Sequence, residues 1–100
     1  MAAEPLCRRL RMTSSPQKRR WMAAIVHHTK AAVTRGQLKA DTDPEQLAFE
    51  LDAVGSLANS LWQLEHDEKA FGRAQTAIRT RLHAAATASG RRALTAADLI

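Results

Sequence analysis

The run GQLKADTDPEQLAFEL, Gly36 to Leu51, constrains this chain more than any other stretch. Glycine takes the left-handed conformation at low cost, so Gly36 ends a helix. Asp43 then stands as an N-cap, with Pro44, Glu45 and Gln46 in the first turn. Proline suits the first helical position because it has no N–H to satisfy. Asp-Pro-Glu-Gln is close to a capping box, and its acids sit beside the positive end of the helix dipole. A helix stop and a helix start therefore lie seven residues apart near the middle of a 100-residue chain.

The flanking segments carry the same period. Ser14, Ser15 and Pro16 make a helix start. Trp21, Ile25, Thr29 and Ala32 follow at helical spacing, which predicts a first helix over about 16–35. Leu38 is an isolated apolar residue expected to tuck under the loop. The second helix runs to about Leu64, with an inward stripe of Leu47, Leu51, Val54, Ala58, Leu61 and Trp62. Phe49, Ala53, Ser56 and Ser60 lie on its other side at spacings of four, three and four. Small residues let another helix approach closely, so a partner is expected there. Asp67 starts a third helix in which Phe71, Ala74, Ile78, Leu82 and Ala85 repeat. Ser89 and Gly90 stop it. Nothing alternates in the manner of a strand. The expected architecture is all-α with three helices: a basic, poorly ordered segment over 1–15, one domain over 16–88 and a loose tail over 89–100.

Charge falls in blocks. Residues 1–40 carry nine Lys/Arg against Glu4, residues 41–68 carry eight acids and no Lys or Arg, and residues 69–100 carry six basic residues against Asp98. The acidic middle is expected to pair with its basic flanks, within one chain or across two. The basic N-terminal block also admits nucleic-acid contact, but no aromatic residues are interleaved with it for base stacking.

Little in the chain suits catalysis. His27, His28, His66 and His83 form no HExxH and no i, i+4 pair, and adjacent helical residues point about 100° apart. No metal site and no cofactor are expected. Cys7 is the only cysteine, so no internal disulfide forms. No phosphate-cradling or nucleophile-elbow motif occurs, so no catalytic residue is assigned. No apolar run approaches the ~20 residues of a membrane helix, and no signal segment is present; the chain reads as cytoplasmic. Trp21 and Trp62 suit either a ligand pocket or ordinary core packing, and a chain this short favours the packing. Asp52 and Asn59 read as facing water.

From Trp21 to Leu82 the sequence resembles the C-terminal regulatory domain of TetR-family transcriptional regulators. The resemblance is carried by Gly36, Leu38, Asp41, Asp43 to Leu51, Leu57 to Asn59, Leu64, Asp67, Ala70, Phe71, Arg73, Ala74, Ala77, Ile78, Arg81 and Leu82. It implies that helices two and three are the last two helices of a regulator, pairing with the same helices of a second subunit in a four-helix bundle. The implied homodimer interface is Phe49, Ala53, Ser56 and Ser60 with Phe71, Ala74, Ile78 and Leu82. It implies too that helix one walls a pocket for an unknown small-molecule effector, with Trp21, Ile25, Leu51 and Trp62 as wall residues. Upstream of Trp21 nothing resembles the family's helix-turn-helix, so the expectation is a truncated regulator reaching DNA only through a missing N-terminal domain. Other readings of the chain are a small basic nucleic-acid-binding protein and a dimerisation-only modulator of a full-length regulator.

Overall fold

Four helices in chain order make up the computed structural model, which describes residues 16–96. They are α1 (Pro16–Thr34), α2 (Pro44–Glu65), α3 (Lys69–Ala85) and α4 (Ala88–Ala96). The all-α expectation holds. The helix starts and stops read from the sequence fall within a residue or two, save at the C-terminal end. The serines expected to cap α1, Cys7, and Arg8, Arg9 and Arg11 of the basic N-terminal block lie outside the described residues.

Local chemistry explains most boundaries. At Gly36 φ is +74°, and the Gly36 N–H bonds the Val33 carbonyl at 3.0 Å while the Gln37 N–H bonds that of Ala32 at 2.9 Å. Those two bonds satisfy the last carbonyls of α1 in a Schellman motif. Asp43 accepts from the N–H groups of Glu45 and Gln46 at 3.0 and 3.2 Å. The Asp67 carboxylate takes the Lys69 N–H at 2.9 Å, which starts α3.

Two expectations need correction. Residues 89–100 were expected to form a loose tail, yet Ala88–Ala96 is a helix. Ser89 and Gly90 were expected to stop the third helix, yet α3 ends at Ala85, one turn earlier. The reason is tertiary. The segment Ala85–Thr87 pairs with the loop after α1: Lys39 N–H bonds the Ala85 carbonyl at 2.9 Å, and Thr87 N–H bonds the Gln37 carbonyl at 3.0 Å. The Thr87 hydroxyl donates to the Gly36 carbonyl and accepts from the Gly90 N–H. So Thr87 both anchors the chain to the far loop and caps α4. Gly90 lies so close to Gln37 that a Cβ there would fall 1.9 Å from the Gln37 carbonyl oxygen.

α2 is the central element, packed on α1 along one side and on α3 along another. The residues inside are small. Leu47 is 1 % exposed, and the other buried apolar residues are Ala48, Ala58, Ala70, Ala85 and Ala86. Thr29 is buried as well, its hydroxyl satisfied by the Ile25 carbonyl at 2.8 Å. The expected charge pairing is seen within the chain: Lys18 meets Asp52 at 3.3 Å, Arg81 meets Glu50, and Arg73 lies 3.9 Å from Asp67.

Candidate functional site

An apolar groove of about 440 Å³ opens between α1 and α4. Trp21, Ala24, Ile25, His28 and Ala32 bring one side of α1 to it. Gly90, Ala93 and Leu94 of α4 form the opposite wall. Leu47 and Leu51 of α2 and Leu82 of α3 supply the floor, and Gln37, Leu38 and Ala86 close the loop end. The contact of Thr87 and Gly90 with Gly36 and Gln37 holds the two walls together. A second cavity, of about 490 Å³, shares Trp21, Ile25 and Leu51 and adds Asp52, Asn59 and Ile78.

Of the four residues expected on a pocket wall, Trp21, Ile25 and Leu51 line this groove. Trp62 does not. It lies at the other end of α2, with ring centroids 5.5 Å from His66 and 6.1 Å from Phe71. A wall residue must share the part of α2 that α1 overlies, and Trp62 is about three turns beyond Leu51. Asp52 and Asn59 were expected to face water; Asn59 is exposed at the edge of the second cavity, whereas Asp52 is half-buried there and pairs with Lys18. Sequence reasoning missed the whole α4 wall. The four-residue spacing of Gly90 and Leu94 was its signal, too short to stand out beside a Ser-Gly pair.

The other feature is an uncovered face. Phe49 is 64 % exposed, Leu57 61 % and Leu64 83 %. With Ala53 and Ser60, also exposed, they form one stripe along α2, on the side turned away from Leu47 and Ala58. Leu57 and Leu64 were not assigned to this face from the sequence. Their signal is that Phe49, Ala53 and Leu57 step by four and Leu64 follows by seven.

Eight residues were expected to share one interface, and the structure divides them. Phe49, Ala53, Ser60 and Phe71 are exposed, Phe71 beside Trp62. Ser56 is exposed too, but on the rim of the cavities toward α1. Ala74, Ile78 and Leu82 are half-buried, and Ile78 and Leu82 line the cavities under α1. Their helical repeat marks the intrachain face of α3. The physical reason is that α3 must cover α2 inside the chain before it can offer anything outside.

At the seam between α2 and α3, Arg81 Nε donates to Glu50, and the Gln46 amide donates to the same carboxylate at 3.4 Å. The Arg81 hydrogen bond, followed by that of Gln46, holds the Glu50 carboxyl below its ordinary value. His27 and His28 stand edge to face at 5.5 Å. Among the described residues no group of three or more His, Cys, Asp or Glu is placed to hold a metal ion. No helix among them is long and apolar enough to cross a membrane.

The family model described as "Tetracyclin repressor-like, C-terminal domain" matches residues 5–78. No curated protein and no solved structure matches the chain.

Proposed function

Because the chain belongs to the family of tetracyclin repressor-like C-terminal domains, we propose that it is the dimerisation and effector-responsive part of a TetR-like transcriptional regulator. The observation that carries this reading is the inversion of its apolar residues. Alanines fill the interior, while Phe49, Leu57 and Leu64 stand in solvent on one side of α2. Fully burying one such side chain stabilises by about 1.5–3 kcal/mol, so a face of three or more favours coverage by a second chain. A twofold partner presents the same face, so an apolar stripe meets an apolar stripe and no charge is stranded. Ala53 and Ser60 within the stripe let the two backbones approach. The neighbouring side of α3, with Ala77 and Ala84 exposed, adds a second small-residue surface across the Glu50–Arg81 seam. The groove under α1 and α4 is the effector site in this reading. DNA contact is left to a helix-turn-helix domain that these residues do not contain.

Light scattering during size-exclusion chromatography tests the reading. The chain is expected to elute with the mass of a dimer at tens of micromolar. Leu57→Glu is expected to give a monomer that keeps its helical circular dichroism. A wild-type monomer with full helicity, at a concentration where α2 is formed, overturns it.

A further inference from the structure

The effector-site reading of the α1–α4 groove can be taken further, and the inference rests on that reading. From the groove's charge, shape and walls we infer that its ligand is an elongated, uncharged, largely apolar small molecule with one hydrogen-bonding group.

Charge decides the first part. No Asp, Glu, Lys or Arg lines the groove among the described residues. Its polar side chains are His28, Thr29 and Gln37. The Thr29 hydroxyl is already committed to the Ile25 carbonyl. A charged ligand would give up its hydration and meet no counter-ion, which is costly in an apolar site. A neutral ligand loses little and leaves His28 and Gln37 to meet one polar group. The contrast with the adjoining cavities is direct. Lys18, Arg20 and Asp52 border one of them and Asp52 the other, so the charge near α1 is kept off the groove itself.

Shape decides the second part. The α1 wall runs from Trp21 to Ala32, about 16 Å at 1.5 Å per residue. A volume of about 440 Å³ over that length leaves a narrow slot. It suits one hydrocarbon chain or a flat ring system laid along α1. The walls decide the third part. Gly90 and Ala93 keep the α4 side low, and Trp21 supplies a flat aromatic surface at the far end. Seated there, the ligand bridges α1 and α4, which the pairing of Thr87 and Gly90 with Gly36 and Gln37 already joins at the loop end.

Trp21 lines the groove and Trp62 does not, so a Trp62→Phe chain reports the groove by the fluorescence of Trp21. Three probes of equal chain length, 1-decanol, decanoate and decylammonium, are titrated below their micelle-forming concentrations. 1-Decanol is expected to give a saturable change at a concentration roughly tenfold lower than either ion, or lower still. Ala24→Phe and Ala93→Phe, which fill the slot from opposite walls, are expected to weaken 1-decanol by roughly tenfold and to leave the oligomeric mass unaltered. Decanoate or decylammonium binding as tightly as 1-decanol overturns the ligand class while the effector-site reading stands. Undiminished 1-decanol binding in both filled variants places the probe elsewhere and overturns the inference. No saturable change with any probe overturns the effector-site reading itself. Conversion of a dimer to monomers by Ala93→Phe identifies the occupant as a second copy and overturns both.

Discussion

The two turns that flank α2 do the same topological task with different resources. The α1–α2 turn is closed locally by Gly36 and Asp43, and is then tied from outside by Ala85, Thr87 and Gly90. Near it lie Leu47, Ala48, Ala85 and Ala86, four of the six buried apolar residues among those described. Among the described residues, the α2–α3 turn has only its own. His66 takes φ +52° and ψ +37°, a left-handed conformation in a side chain that is not glycine. Trp62 and Phe71 flank it half in solvent, and Leu64 is exposed. One end of the helical hairpin is thus fixed by contacts between distant residues. The other rests on a single cap, a strained residue and an aromatic cluster. The difference teaches where the chain is complete by itself and where it is not.

The comparison breaks most sharply at Leu47. Leu47→Ala removes the largest fully buried side chain and is expected to cost about 3 kcal/mol, toward the low end for buried leucines because the groove already opens the site. Urea unfolding followed by circular dichroism measures it, and a loss under 1 kcal/mol would mean that the tied end is not the stable one. Gly90→Ala comes next. Its Cβ cannot fit beside the Gln37 carbonyl, so the backbone must shift, at about 1–3 kcal/mol. Amide exchange of α4 and of Gln37 to Lys39 is expected to rise together, whereas exchange at the α2–α3 turn stays as it was.

The untied end responds in the opposite direction. His66→Gly relieves the left-handed strain and is expected to stabilise by about 0.5–1 kcal/mol, less whatever the Trp62–His66 contact contributes. A raised urea midpoint with unchanged slope is the expected reading, and a lowered one would show that the edge-to-face contact outweighs the strain. The smallest effect is that of Glu50. Its folded carboxyl is held below the ordinary value, so its contribution is present above the unfolded pKa and fades as pH falls through the folded one. Stability measured across the acid carboxylate range is expected to fall slightly less in Glu50→Gln than in wild type.

Several features of the fold were legible because they need only near neighbours. Gly36 and Gln37 stop a helix through carbonyls three and five residues back, respectively, and Asp43 starts one through amides two and three ahead. Trp21, Ile25 and Leu51 were expected on a pocket wall only through the family resemblance, and they do line the groove. Ile78 and Leu82 could not be sorted between groove and outer face. Their period states that a face is apolar, not which neighbour covers it.

By itself the sequence determined the first three helices, the caps at Gly36, Asp43 and Asp67 and most of the inward stripe of α2, since each follows from chemistry within about one turn. Only the tertiary structure decided that the residues after Ala85 form a helix. That helix starts because Thr87 bonds Gly36, 51 positions earlier in the chain. Only the tertiary structure, too, set alanines inside and Phe49, Leu57 and Leu64 outside. Small side chains bury wherever two backbones come close, and no local pattern announces where that will be.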